Sequence, residues 1–295
     1  MNLFLHPAPP PDPLRRLALG AYKSPYDPSA YASVEVRMER ALAYVEAFRS
    51  GTGQRLTVTH LVAKAAADAL RRYPEANILL RWNRPWGRAR VGVCVLVVQP
   101  ESLGRVDLTT ATIPDADALS LQGFAAAMEE RVRHVRHRRD AVIERGKRRS
   151  YRVPGLLMNA ALRVLSFVWY TLNVDLAWLG MPRDPFGSVA VSNVGSLGLE
   201  RAWLAMVPYT RVALYLAPGA VRDEPVLEGE ALVPGKLMTL TCTFDARLLD
   251  PELAARVLRH MRATLEDPGA AWGPPARGPR ASPLRRRLRA SRRRP

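Results

Sequence analysis

The run RARVGVCVLVVQP, residues 88–100, constrains the fold more than any other part of the chain. Its middle is an unbroken series of apolar residues, mostly valine, without the polar alternation of a half-exposed strand. Such a run is typical of a strand that is buried on both faces of a sheet. The rest of the chain must therefore supply neighbouring strands and covering layers for it.

Other segments supply them. Alternating or apolar β-branched runs predict further strands, and apolar residues at helical spacing predict helices. The predicted strands are 31–38, 105–113, 187–195, 210–221 and 236–246, and the predicted helices are 39–53, 56–74, 115–146 and 251–267. Because strands and helices do not alternate regularly, the pattern favours an α/β (α+β) two-layer sandwich, a mixed sheet packed on helices, over a doubly wound sheet.

The net charge of +17 is concentrated in two places. Residues 277–295 hold nine arginines and no acid, and residues 124–150 carry a net charge of five. Together they supply fourteen of the seventeen charges, so the rest of the chain is nearly balanced. No aromatic residue follows Trp272, which disfavours nucleic acid as a partner because base stacking has no platform. The basic stretches favour solvent or an anionic membrane surface instead.

The two cysteines, Cys94 and Cys242, lie inside strand-like runs and do not form a disulfide framework. Cysteines of this kind fit a reducing compartment, and the N-terminus is interrupted by prolines and lacks the apolar run of a signal peptide. We therefore predict a cytoplasmic protein, with peripheral attachment to a membrane as a second possibility. No cluster of residues predicts a metal site.

The segment Val153–Met181 is strongly apolar but is interrupted by Arg163 and Asp175. The uninterrupted part is shorter than the roughly 20 residues that a spanning helix needs. A buried or interface helix, a helix on a membrane surface and, least favoured, a true span remain open.

Two short stretches carry candidate chemistry. In TFDARLLDP the charged residues Asp245, Arg247 and Asp250 surround Ala246, which has no reactive group. In SNVGSLG, Ser192 and Asn193 form a polar turn after a predicted strand.

With the order of the other elements, these stretches resemble the catalytic domain of the dihydrolipoyl acyltransferases of 2-oxoacid dehydrogenase complexes, relatives of chloramphenicol acetyltransferase. The resemblance runs from about Arg15 to about Pro268. It implies a chloramphenicol-acetyltransferase-like sandwich that forms trimers, with sites between subunits that receive coenzyme A or acyl-CoA. It also implies a general-base histidine and a hydroxyl that stabilises the oxyanion.

Position by position, Ser192 and Asn193 match the family's oxyanion turn. Asp245, Arg247 and Asp250 match its charged motif, with Arg15 or Arg16 as the expected partner of Asp250. Ala246 stands where the family has its histidine, and Pro251 replaces a glycine. The sequence therefore predicts an active-site frame from which the base is missing.

Other residues do not replace that base. His60, His134, His137 and His260 all lie on predicted helices, where capping, core or solvated roles are expected. Cys242 shares a strand face with Ala246 but has no neighbour in sequence that would activate it.

We predict an acyltransferase-like domain over 1–270, with an inserted basic and apolar segment at about 140–182, and an Arg/Pro-rich tail over 271–295. No lipoyl or subunit-binding domain is expected on the chain. Two functions are open. The first is a degenerate acyl-CoA-binding or assembly subunit, a pseudoenzyme in a homotrimer or beside a catalytic paralogue or dehydrogenase complex. The second is an active CoA-dependent acyltransferase that works without the base.

Overall fold

A six-stranded mixed sheet forms the centre of the computed structural model, which describes residues 27–82, 84–100, 106–136, 153–179 and 181–275. Its strands lie in the order β1–β8–β7–β6–β4–β5. The β6 strand is parallel to both of its neighbours, and the other pairs are antiparallel. The strands are β1 (Ser29–Arg37), β4 (Val93–Pro100), β5 (Val106–Ile113), β6 (Val189–Val191), β7 (Leu214–Glu228) and β8 (Ala231–Asp245), while β2 (Ile78–Arg81) and β3 (Arg84–Gly87) form a separate hairpin.

Helices cover one face of this sheet. They are α1 (Glu39–Thr52), α2 (Val58–Arg72), α3 (Leu121–Arg136), α5 (Pro251–Glu266) and the short α6 (Pro268–Trp272). The main core lies between the two layers, where Val93, Val95, Leu214 and Leu216 meet buried residues of these helices. The predicted α/β sandwich is confirmed.

The other face of the sheet carries the alternate side chains. Cys94, Ala190 and Tyr215 form a smaller buried cluster there, and Phe186 and Met206 pack against it. The valine-rich run is therefore covered on both faces, as its lack of alternation indicates.

Several boundaries differ from the predicted ones. The β7 and β8 strands extend past the predicted bounds of 210–221 and 236–246 into a long hairpin, which includes the facing pair Pro225 and Pro234. The third predicted helix begins at Leu121 and not at Asp115, because Ser120 Oγ accepts a hydrogen bond from the Gly123 N–H and caps it. The β2–β3 hairpin was not predicted. The stretch LRRLALGAY, residues 14–22, also predicts a short turn of helix, and it lies outside the described residues.

The inserted segment forms α4 (Gly155–Ser166), followed by a turn of π-helix at Phe167–Thr171. Only Met158 and Ser166 of α4 are buried, so the interpretation as a buried helix is wrong for this chain in isolation. In the described part of the chain, no helix has the length and apolar character to cross a membrane.

Candidate active site

The turn that follows β8 is built around Asp245. This carboxylate is buried, with 4% of the residue exposed. Its Oδ1 accepts hydrogen bonds from the backbone N–H and Nε–H of Arg247 at 3.0 and 2.9 Å, and its Oδ2 accepts one from Nη2–H at 2.6 Å. The side-chain bonds to Asp245 raise the pKa of the Arg247 guanidinium. Asp245 and Arg247 thus fix the shape of the turn.

Ala246 lies at the outside of this turn with its methyl group exposed. Its backbone N–H donates to the Pro28 carbonyl at 2.9 Å, and the N–H groups of Leu248 and Leu249 both donate to the Asp245 carbonyl at 2.9 Å. The position is therefore held by backbone bonds, and a larger side chain here would point away from the core.

Asp250 begins α5. Its Oδ1 accepts a hydrogen bond from the Leu253 N–H at 2.7 Å, which is the geometry of a helix N-cap. Pro251 occupies the first turn of the helix, where a missing N–H costs nothing. Arg15 and Arg16 lie outside the described residues, so their pairing with Asp250 stays a prediction.

The second candidate stretch follows β6. The Ser192 N–H donates to the Leu216 carbonyl at 3.0 Å, which extends the sheet by one bond. Both polar atoms of the Asn193 amide form a hydrogen bond: Oδ1 accepts from the Ser196 N–H at 3.1 Å, and Nδ2 donates to Thr59 Oγ1 at 2.8 Å. Asn193 therefore holds the turn against α2. The half-buried Ser192 makes no side-chain hydrogen bond with the described residues and keeps its hydroxyl available.

Close backbone packing also fixes this turn. A Cβ atom on Gly195 would overlap the carbonyl of Gly219, at the bulge of β7 between Pro218 and Val221. Only a glycine lets the turn approach the bulge this closely.

The structure does not bring the two stretches together within one chain. The register places Ser192 level with Ala217 and so with Thr241, whereas Ala246 lies five residues after Thr241, just past the end of β8. With a rise of about 3.3 Å per residue and a spacing of about 4.8 Å between strands, the two backbones are roughly 19 Å apart. One subunit cannot place a hydroxyl at Ser192 and a base at position 246 on the same reacting carbon.

Arg211 is a neighbour of the 245–250 turn that sequence reasoning missed. It has a left-handed backbone with φ 55° and precedes β7. Its Nε–H donates to Ser166 Oγ at 2.9 Å, and its Nη1–H donates to the Leu80 carbonyl at 3.0 Å. Burial and the nearby Arg247 charge lower its pKa. No charge pattern in the sequence marks this position.

Among the described residues, the other candidate bases and nucleophiles lie elsewhere. Burial lowers the pKa of His60 to about 4, so this imidazole is neutral, and its Nδ1 lies 2.6 Å from Thr57 Oγ1. Burial raises the pKa of both Cys94 and Cys242 to about 12. His260 packs edge-on against Tyr73. The thiols of Cys94 and Cys242 are therefore not thiolates near neutral pH.

His134 is exposed on α3, and His137 lies outside the described residues. Across 27–275, with the gaps given above, no three His, Cys, Asp or Glu side chains are grouped to hold a metal ion. A cleft of about 660 Å³ opens on the helical face near Lys64, Asp68 and Trp272, and none of the predicted site residues lines it.

Comparison with protein families gives a match to the model of the 2-oxoacid dehydrogenases acyltransferase (catalytic domain). The match covers residues 23–144 and 186–272. It therefore includes both candidate stretches and leaves out residues 145–185, which contain α4.

Two curated proteins are similar in sequence. The acetyltransferase component of the acetoin cleaving system of Bacillus subtilis is 25% identical over 218 residues, which are 74% of this chain and 43% of that protein. The acetyltransferase component of the pyruvate dehydrogenase complex of Rhizobium meliloti is 23% identical over 248 residues, 82% of this chain and 45% of that protein. The chain thus spans less than half the length of these relatives.

Solved structures show the same fold. A probable dihydrolipoamide acetyltransferase from Listeria monocytogenes superposes with a TM-score of 0.62 at 20% identity, covering 86% of this chain and 89% of that one. The dihydrolipoamide acetyltransferase of Azotobacter vinelandii superposes with a TM-score of 0.62 at 18% identity, covering 90% of this chain and 99% of that one. The work on the latter concerns one serine, one histidine and one asparagine in its catalytic mechanism.

Proposed function

Since the chain belongs to the 2-oxoacid dehydrogenase acyltransferase family by its match to the catalytic-domain model, we propose that it is a member without the general base. In this proposal it binds coenzyme A or an acyl-CoA, or serves assembly, and does not turn over efficiently. In this proposal residues 1–270 belong to the acyltransferase-like unit, with the insertion at about 140–182. The predicted tail of 271–295 starts too early, because Trp272 belongs to α6 and its Nε1–H donates to Asp68 Oδ2 at 2.8 Å.

The observation that carries the proposal is the exposed methyl group of Ala246. A general base must have a pKa near the working pH and must lie within hydrogen-bond reach of the nucleophile. A methyl group accepts no proton. The turn around it is nonetheless complete, because Asp245 and Arg247 retain all three of their hydrogen bonds.

The charged frame also has a role that does not need catalysis. The bonds from Arg247 to Asp245 shape the turn, and Asp250 caps α5. Loss of either would cost stability whether or not an acyl group is transferred. Retention of this frame beside Ala246 therefore fits a binding or assembly subunit.

The separation of Ser192 from Ala246 supports a site that is shared between subunits. Two positions about 19 Å apart in one chain meet only when a second chain supplies one of them. We propose a homotrimer, or a mixed trimer in which a paralogue supplies a histidine, within a larger dehydrogenase assembly.

One observation favours a second candidate, an active acyltransferase without the base. The Ser192 hydroxyl is free of side-chain bonds to the described residues, as an oxyanion donor requires. In this case a thiolate acceptor attacks the thioester carbonyl of acyl-CoA. The tetrahedral oxyanion accepts a hydrogen bond from Ser192 before the CoA thiolate leaves and takes a proton from solvent. A general base typically contributes about 10²–10⁴-fold, so its loss slows transfer without forbidding it.

The test is release of CoA thiol from a panel of acyl-CoAs with dihydrolipoamide as the acceptor. The wild-type chain is compared with Ala246→His and Ser192→Ala. Ala231→His, at an exposed position of the β7–β8 hairpin, controls for an added imidazole. We expect a silent wild type, and turnover in Ala246→His that Ala231→His does not show.

Efficient wild-type turnover that Ser192→Ala abolishes would establish the second candidate and refute the first. Silence of all four proteins, with no acyl-CoA binding by calorimetry, would exclude coenzyme A binding under both candidates. A measurement of the mass of the oligomer in solution would then test the assembly role.

A further inference from the structure

Exposed apolar side chains are concentrated in the segment that the family match leaves out. Of fifteen large apolar residues that are exposed in the described chain, seven lie within residues 153–179. Leu156 is 93% exposed and Trp178 is 78% exposed. Phe167 also contacts Trp82 of the β2–β3 hairpin, with ring centroids 5.7 Å apart. We call the exposed apolar residues of 153–179, together with Trp82 and Trp86, the insert surface.

The insert surface is fixed on the domain from beneath. Met158 and Ser166 are each 3% exposed, and Ser166 Oγ accepts the bond from Arg211 Nε–H. The Arg81 Nε–H donates to the Thr171 carbonyl at 2.7 Å. Because these contacts hold the opposite side of α4 and the turn after it, the apolar side chains cannot turn inward without breaking them.

The dimensions suit a helix that lies in the plane of a membrane. The twelve residues of α4 span about 18 Å at a rise of about 1.5 Å each, well short of the roughly 30 Å of a bilayer core. Such a helix buries its apolar face at the boundary between headgroups and acyl chains. The exposed tryptophan side chains of this surface, Trp82, Trp86 and Trp178, are suited to this region because they are amphipathic.

The charge at the insert surface is positive. Arg84 is exposed beside Trp86, Arg163 is exposed on α4, and neither forms an ion pair with a described residue. Asp175, the acid within residues 153–179, is held by Arg183 at 2.5 Å. The preceding residues 137–152 carry by sequence seven arginines and lysines against two acids, although their placement lies outside the described part of the chain.

We propose that the insert surface docks the protein on a membrane that contains anionic lipid headgroups. Apolar residues such as Leu156 and Trp178 enter the interface while the surrounding arginines meet the headgroups. A second copy of the same surface is a poorer occupant, because a two-fold contact would bring like charges together. The docking is independent of acyl transfer, since it uses none of residues 192–193 or 245–250.

The test uses the full chain and sedimentation with vesicles. Vesicles of phosphatidylcholine alone are compared with vesicles that also contain phosphatidylglycerol, and soluble glycerol phosphate is added as a competitor. The variant is L156E/W178E. Its matched control is L227E/L232E, which adds the same two charges at exposed leucines of the β7–β8 hairpin.

We expect binding to the anionic vesicles alone, little competition by glycerol phosphate, and a loss of at least about tenfold in L156E/W178E, because two apolar side chains no longer leave water. The control should bind like the wild type. Equal binding by both variants would assign any vesicle binding to the basic stretches and overturn the proposal. Absence of vesicle binding would overturn the proposal as well. So would an oligomer that L156E/W178E dissociates and the control does not, because a second copy would then be the occupant of the surface.

Discussion

Acid should destabilise this protein between pH 7 and pH 5. Among the described groups with a shifted pKa, His60 accounts for the loss in this interval. The residue is 3% exposed, and burial lowers the pKa of its imidazole from 6.5 to about 4. Glu129 opposes this shift, and Arg55 and Arg49 add to it. Because the folded state binds its proton less readily than the unfolded state does, stability is complete above pH 6.5 and falls as the pH drops from about 6.5 towards about 4.

The size of the loss follows from these two values. At pH 5 the unfolded state is almost fully protonated at this histidine and the folded state hardly at all, which costs roughly 2 kcal/mol of the free energy of unfolding. Glu39, whose pKa is lowered to about 2 by its bond to Arg37, contributes only below its ordinary value of 4.5. The interval from pH 7 to pH 5 therefore isolates His60.

Urea unfolding at pH 7 and at pH 5 measures the effect. The wild type should lose roughly 2 kcal/mol between the two, whereas His60→Gln, which cannot take up the proton, should lose much less. The same exchange at His260, on the outer side of α5 against Tyr73, controls for removal of a histidine. An equal loss in the wild type and in His60→Gln would refute the assignment.

Three further outcomes are expected. Both thiols should resist Ellman's reagent in the native protein at pH 8 and react fully in denaturant, because burial raises the pKa of Cys94 and Cys242 to about 12; rapid native reaction would contradict this. Gly195→Ala should lower thermal stability more than Gly198→Ala, because a Cβ at Gly195 meets the Gly219 backbone, whereas a Cβ at Gly198 meets no atom and is disfavoured only by the φ of 78°. The reverse order of melting temperatures in calorimetry would show that the turn moves freely. Asp245→Asn should lower the free energy of unfolding in urea by about 1.5–3 kcal/mol, because the charged bonds to Arg247 are lost, whereas Asp223→Asn at the exposed pair with Lys236 should lower it by about 0–1 kcal/mol. Equal losses would show that the buried carboxylate has no special structural role.

Much of the framework was accessible from sequence because the signals were local. Valine-rich β4 and the capped helix α2 were placed correctly, since burial on both faces and an N-cap at Thr57 leave strong patterns. Asp245, Arg247 and Asp250 were predicted as one charged frame. The structure joins Arg247 to Asp245, whereas Asp250 caps α5.

What could not be predicted depends on contacts between distant residues. Pro225 and Pro234 suggest a break, but they face each other in the outer half of the hairpin and the sheet continues past them. Arg211 joins α4 and the β2–β3 hairpin through bonds that no short motif encodes. The engagement of the Asn193 amide with Thr59 likewise required the position of α2.

Within one chain Ser192 and Ala246 lie far apart, and this determines how dosage would act in an assembly that mixes this chain with a histidine-bearing relative. In the proposed closed trimer each site takes its base from one subunit and its serine turn from the next. Exchange of one subunit for this chain removes one base and no serine, so two sites in three remain complete. Activity would then fall in simple proportion to the share of this chain. Had Ser192 been lost together with the histidine, the activity would instead fall with the square of the share that remains.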